Sequence, residues 1–287
     1  VLSPLRLDAS LNDRSIPSIV LRRLLWIGGE MERRAMRLWG GICGLICALG
    51  VAGSDAACAD SPPLVDRTGD GAVTAIAFGD SITFGIGASV EGEGYPAVLS
   101  ELVGVPVVNA GISGERLLSD GIDRLPGVVA GSGADVVILL EGVNDAFTVT
   151  SSTAIKRGYQ RSINVIRALG REAVLGTPLP TCCERAALEP VVSGYAAVAR
   201  AVAAQNDAPL IDFRRGWLNT CGGAVECSLL NIPEGLHPND EGYLVMAQTA
   251  AATLVGINLF TSGGAAELEG ALGLPPGSVI VKADPAL

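Results

Sequence analysis

From Gly71 onward, short apolar runs alternate with longer segments of mixed polarity. The runs are VTAIAF (73–78), VPVVNA (105–110), DVVILLEG (135–142), EAVLGTP (172–178) and PLIDF (209–213). Each is apolar on consecutive positions and rich in Val, Ile and Leu, the pattern of strands buried on both faces of a parallel sheet. The segments between them predict helices over about 94–103, 115–130, 152–169 and 189–206. A last helix is predicted over about 239–255, with Asn239 or Asp240 as its cap. Strict strand–helix alternation predicts βαβ units and a doubly wound, mainly parallel five-stranded sheet. Ligands bind such sheets outside the carboxyl ends of the strands. Here those ends run into GDS, GISG, VNDAF, PLPTCC and RRGW, where glycines and polar residues gather.

The two ends of the chain read differently. Residues 32–37 (ERRAMR) are basic, Leu38 to Gly53 is an apolar run, and SDAACADSPP follows with the small-x-small triplet Ala57-Cys58-Ala59. That order predicts a secretory signal peptide over 31–59, cleaved after Ala59, and places the mature protein outside the cell or in a periplasm. The apolar run is short for a membrane span, so no stable insertion is expected after cleavage. Residues 1–30 lack methionine and precede the leader, and are expected to be mis-assigned upstream sequence. The globular domain is expected over 60–260. The Gly-, Ala- and Pro-rich tail, 261–287, holds one strand-like run, SVIVKA (278–283); it either wraps onto the domain or is mobile.

Composition narrows the partners. Residues 60–287 carry thirteen Lys and Arg against twenty-five Asp and Glu, a net charge of −12. Such a surface repels nucleic acid, and no basic stripe opposes this. These 228 residues suit one α/β domain, expected to be a monomer. Outside the presumed leader the cysteines are Cys182, Cys183, Cys221 and Cys227, an even number that suggests disulfides in an exported chain. Cys221 and Cys227 bracket a short loop and pair readily. That leaves the neighbours Cys182 and Cys183, whose Cα atoms are closer than a relaxed disulfide prefers; cross-pairing is the alternative. No zinc site is expected, because C-x-x-C is absent and there is one histidine.

Candidate chemistry lies at the strand ends. Ser81, in Gly79-Asp80-Ser81, directly follows the first run. Gly111 follows the second, where its N–H can approach a ligand oxygen. Asn144 follows the third and carries an amide donor. His237, the sole histidine of the chain, precedes the last helix, with Glu234 three residues upstream to orient its ring.

Taken in order, Gly79-Asp80-Ser81, Gly111, Gly142-Val143-Asn144-Asp145 and Glu234-Gly235-Leu236-His237 resemble the GDSL or SGNH hydrolase family. The resemblance spans about 73–255, and is strongest to the thioesterase, lysophospholipase and arylesterase branch. It implies a flavodoxin-like three-layer α/β/α sandwich and a serine esterase mechanism through an acyl-enzyme. Ser81 would be the nucleophile and His237 the base. The Ser81 N–H, Gly111 N–H and Asn144 side chain would form the oxyanion hole, while Asp80 and Asp145 order loops. No metal or organic cofactor is implied. The family usually has aspartate where this chain has Glu234; glutamate supplies the same carboxylate on a longer stem, with a backbone carbonyl as the alternative partner for His237. The expected substrate is a small-molecule or lipid ester, oxygen or thioester, with an acyl or aryl group. The alternatives are a carbohydrate acetylesterase and a non-catalytic binding module on the same fold. Trp217 is the one tryptophan in 60–287, so sugar-stacking platforms are scarce. The loop FGDSITFG lacks the lysine of a nucleotide-binding P-loop.

Overall fold

The computed structural model describes residues 62–283. The predicted leader and the upstream segment therefore lie outside the described residues. Five strands form one fully parallel sheet: β1 (Ala75–Gly79), β2 (Val107–Gly111), β3 (Val136–Leu140), β4 (Glu172–Gly176) and β5 (Leu210–Ile211). Their order is β2-β1-β3-β4-β5, the flavodoxin-like arrangement. The chain reverses its direction across the sheet at β1, so the switch point lies between β1 and β3. In-register pairing of Gly79 with both Gly111 and Leu140 brings three strand ends level there.

The helices sandwich the sheet. On one side pack α2 (Tyr95–Val103), α7 (Phe213–Thr220) and α8 (Asp240–Leu254). On the other pack α3 (Ile122–Ser132), α5 (Ser152–Ala168) and α6 (Glu189–Gln205). Two short helices, α1 (Ser81–Phe84) and α4 (Val143–Ala146), start at the ends of β1 and β3. Strands β1 and β3 are buried at every position, and Phe78, Ile138, Tyr95 and Trp217 are fully enclosed. Burying one large apolar side chain contributes about 1.5–3 kcal/mol, which is why these runs tolerate no polar alternation. Among the described residues no helix is long and apolar enough to cross a membrane.

Three expectations are corrected. Strand β2 is an edge strand rather than one covered on both faces, and Val108 is 50% exposed. The helix expected over 115–130 starts later: Leu117–Gly121 is a π-helical turn, and α3 begins at Ile122. No strand forms over 278–283. That segment instead lies on the domain beside α9 (Gly264–Leu272), with Val279 and Val281 buried. Its backbone bonds side chains: Val279 N–H donates to Glu269 Oε1 (3.0 Å) and Ile280 N–H to Gln248 Oε1 (2.9 Å). Gln248 Nε2 donates in return to the Ser278 carbonyl (2.8 Å). These partners satisfy buried backbone groups that a strand ladder would otherwise have to satisfy.

Cys221 and Cys227 are joined, with Cα atoms 5.8 Å apart, while Cys182 and Cys183 are free thiols. Cross-pairing does not occur, because the close pair already closes the loop after α7.

Candidate active site

Strand β1 delivers Ser81 to the carboxyl edge of the sheet through a turn that needs glycine. A Cβ on Gly79 would lie 2.3 Å from the Leu140 carbonyl oxygen and 2.2 Å from Thr83 Oγ1. Asp80 is extended and caps α1, its Oδ1 accepting from the Ile82 N–H at 2.9 Å. Ser81 is thereby held in the first turn, 4% exposed. Its own N–H has no hydrogen-bond partner among the described residues.

His237 arrives from the other end of the chain on a tightly closed loop. The Asn231 N–H donates to the His237 carbonyl at 2.9 Å, and the Gly235 N–H donates to the Asn231 carbonyl at 2.8 Å. Asn231 Nδ2 also lies within bonding distance of the Gly87, His237 and Pro238 carbonyls. The loop contains a cis Ile232–Pro233 peptide. Within it Glu234 uses both oxygens. Oε2 accepts from the Leu236 and His237 N–H groups, each at 2.9 Å, and Oε1 lies 3.0 Å from His237 Nδ1. On the far side of the ring, His237 Nε2 lies 2.9 Å from Ser81 Oγ. The His237 side chain is 18% exposed, open enough for a substrate to reach.

Asn144 sits in α4, just after Gly142, whose φ of +111° lets the chain turn out of β3. Its Nδ2 donates to the Glu115 carbonyl at 2.8 Å, which uses one amide hydrogen and leaves the other. Asp145 accepts from the Leu117 N–H (2.8 Å) and the Leu118 N–H (3.3 Å), holding the π turn against α4.

Gly111 does not fit the role the sequence suggested. Its N–H donates to Asn109 Oδ1 at 2.9 Å, and a Cβ there would lie 2.2 Å from the Phe84 nitrogen. Its smallness serves the packing of β2 against α1. Three residues on, Gly114 has a φ of +79°, open space around it and no partner for its N–H among the described residues. It lies in a turn closed by the Glu115 N–H and the Ile112 carbonyl (3.1 Å), next to the carbonyl that Asn144 holds. The sequence signal was present in GISG, but two glycines in one motif cannot be ranked without the turn. Asn231 was also missed, since an asparagine in a loop has many ordinary uses.

Beneath the site lies a cluster of buried carboxyl groups: Asp80, Glu115, Glu141 and Asp145. Arg124 pairs with Glu115, its Nε 2.7 Å from Oε2. Among the described residues Glu141 has no such partner, and both its oxygens are sealed without a hydrogen bond. Burial, then the Asp80 and Glu115 carboxyls, pushes it well above the usual carboxylate range. Burial likewise pushes Asp80 up to about 7, against the opposing Ile82 N–H. Glu141 therefore holds its proton more tightly than a free glutamic acid does. Four apolar side chains, Ile112, Phe147, Val149 and Ile232, are exposed on the loops after β2 and β3 and before His237.

Comparison with known proteins bears on the fold and the family. No curated protein matches the chain. Among solved structures, LAE5, an alpha/beta hydrolase enzyme from the metagenome of Lake Arreo, Spain, is similar at 23% identity. The match covers 65% of this chain and 98% of that one, with a TM-score of 0.55. The lipase/acylhydrolase from Enterococcus faecalis is similar at 24% identity over 63% of this chain and 95% of its own, with a TM-score of 0.54. A catalytic mutant of Axe2, an acetylxylan esterase from Geobacillus stearothermophilus, is similar at 19% identity over 63% and 94%, with a TM-score of 0.55. At these identities the likeness is one of fold. The model of the GDSL-like lipase/acylhydrolase family matches residues 77–245, from within β1 into α8, and so spans more than half of the chain. The chain belongs to the GDSL-like lipase/acylhydrolase family and is a serine ester hydrolase.

Proposed function

We propose that this protein hydrolyses carboxylic esters of apolar acyl or aryl groups through a Ser81–His237–Glu234 triad. The observation that carries the reading is the unbroken line from Ser81 Oγ to His237 Nε2 (2.9 Å) and from His237 Nδ1 to Glu234 Oε1 (3.0 Å). His237 Nε2 takes the Ser81 proton as Oγ attacks the ester carbonyl. Glu234 holds the proton on Nδ1 and stabilises the imidazolium that forms. The tetrahedral oxyanion is met by the N–H groups of Ser81 and Gly114 and by the remaining Asn144 amide hydrogen. His237 then protonates the leaving alcohol. A water, deprotonated in turn by His237, attacks the acyl-enzyme and frees Ser81.

The exposed apolar side chains Ile112, Phe147, Val149 and Ile232, on loops at the same sheet edge, favour an apolar ester over a sugar-borne acetyl group. Thioesters are accessible to the same chemistry. The leader-like segment before residue 60 and the Cys221–Cys227 disulfide favour export.

A serine-directed fluorophosphonate probe and a p-nitrophenyl ester series from acetate to palmitate, run beside acetylated xylan and an acyl thioester, test the reading. Labelling of the wild type, none of Ser81→Ala, and a preference for longer acyl chains are expected. Absence of labelling, or Ser81→Ala hydrolysing esters at the wild-type rate, would overturn the catalytic reading. A preference for acetylated xylan would move the substrate to the glycan class.

A further inference from the structure

Two neighbouring free thiols lie against the loop that carries Glu234 and His237. Cys182 is buried and Cys183 partly exposed. The backbone on either side of Cys183 clasps that loop: the Cys182 N–H donates to the Gly235 carbonyl at 2.9 Å, and the Glu184 N–H to the Pro233 carbonyl at 3.1 Å. Contact is close enough that a Cβ on Gly235 would lie 2.3 Å from the Cys182 carbonyl oxygen. Glu234 is the residue between those two anchored carbonyls. Cys183 adopts a φ of +57°, unusual for a residue with a side chain.

We propose that Cys182 and Cys183 form a redox-sensitive latch: their oxidation to a vicinal disulfide moves the Pro233–Gly235 segment, withdraws Glu234 from His237 and lowers turnover. The inference rests on the triad reading for its effect on rate. The physical reason is ring geometry. Adjacent Cα atoms across a trans peptide are about 3.8 Å apart, whereas a relaxed disulfide wants roughly 4.4–6.8 Å. The peptide fixes that Cα separation, so closing the ring has to be met by the dihedrals on either side of it, and these turn the Cys182–Cys183 peptide. The Cys182 carbonyl, which accepts from the Arg185 N–H at 2.7 Å and abuts Gly235, has no slack to absorb the turn. Strain of this kind also makes the bond easily reduced, as a reversible device requires.

The oxidant is a low-molecular-weight disulfide. The Cys183 thiolate attacks one of its sulfurs, forming a mixed disulfide and expelling one thiolate. Cys182 then loses its proton to solvent and its sulfur attacks Cys183 Sγ, expelling the second thiolate. Two protein thiols lose two protons and two electrons, and one small disulfide becomes two thiols. Cys183 reacts first because it is the accessible one. Burial pushes the Cys182 thiol up to about 12, so its step depends on its position beside the mixed disulfide.

The test uses the untagged full chain with oxidised glutathione. His237 is the single histidine, so its ring N–H resonance reports the Glu234 contact without any activity assay. Peptide mass analysis should find the 182–183 peptide lighter by two hydrogens. The His237 signal should move, and kcat should fall on the order of 10–100-fold, the cost of misplacing a catalytic group by about 1 Å. A second reduction should restore all three. Cys183→Ser should keep the reduced-state rate and ignore glutathione disulfide, whereas Cys182→Ala should keep that rate and stop at the mixed disulfide on Cys183 without forming the vicinal bond. The latch is overturned if the mixed disulfide never closes to the vicinal one. It is equally overturned if the vicinal disulfide forms while the His237 resonance stays put, or if Cys183→Ser loses activity as the wild type does. A reduced wild type that hydrolyses no ester would refute the proposed function, and the His237 resonance would still decide the latch.

Discussion

Glu234 does two jobs with two oxygens. One binds the backbone of its own loop and the other faces His237 Nδ1. The extra methylene relative to aspartate is taken up by the loop folding back on itself, so the longer stem still ends at the ring. Replacing it by Gln keeps an acceptor for the loop but offers His237 an amide N–H. The imidazole must then carry its proton on Nε2, facing Ser81, and cannot act as a base. Glu234→Gln is expected to lower kcat by about 10³–10⁴ with little change in KM, read by steady-state kinetics. A loss below tenfold would assign the orientation of His237 to something other than this carboxylate. Asn144→Ala removes one candidate oxyanion donor and is expected to cost on the order of 10²–10³ in kcat. Unaltered kinetics in that variant would remove Asn144 from the oxyanion hole.

The elements explain why these side chains are where they are. Strands β1 and β3 end level at the switch point, and each runs straight into a short helix, α1 with Ser81 and α4 with Asn144. The loop before α8 is held by Asn231 and by its seat on Cys182. Gly235 is the tightest point of that seat, with a φ of +74°. Gly235→Ala adds left-handed backbone strain, of order 1–3 kcal/mol, to a collision with backbone that cannot swing aside. A fall of several degrees in the thermal midpoint is expected together with lost activity; an unchanged midpoint would mean the loop is looser than its contacts imply. Strand and helix periods made the alternation of elements readable. The edge position of β2 was not readable, because a consecutive apolar run looks the same whether one or both faces are covered. The choice between Gly111 and Gly114 was equally hidden, since it depends on which N–H the turn after β2 leaves without a partner.

At the scale of the whole molecule, the carboxyl cluster under the site links stability to pH. A carboxyl whose pKa is raised by folding favours the folded state fully below its unfolded value, and that contribution is lost as pH rises through the folded value. For Asp80 the window runs from 3.8 to about 7, and for Glu141 it opens at 4.5 and extends upward. The contribution of this cluster to the thermal midpoint should therefore fall as pH rises from about 4 to 8. Glu141→Gln, which resembles the neutral acid and cannot ionise, should give a shallower fall over the same range. Parallel profiles for the two proteins would show that Glu141 does not bind its proton more tightly in the folded state.

The order of apolar runs determined the parallel α/β architecture, because a strand without polar alternation has no solvent face to offer. The order of GDS, GVND and EGLH along the chain, together with the sole histidine, pointed to Ser81, Asn144 and His237. What only the tertiary structure decided is which groups meet. Ser81 and His237 are 156 residues apart. Their 2.9 Å approach exists because β1 and the loop before α8 both open at the same sheet edge. Glu141 reads in sequence as the end of an apolar strand, and Cys182–Cys183 as a spare pair. Burial raised the proton affinity of the first, and the seat of Gly235 set the second against the loop of Glu234 and His237. Each of these is a property of packing between distant segments, which local residue preference does not encode.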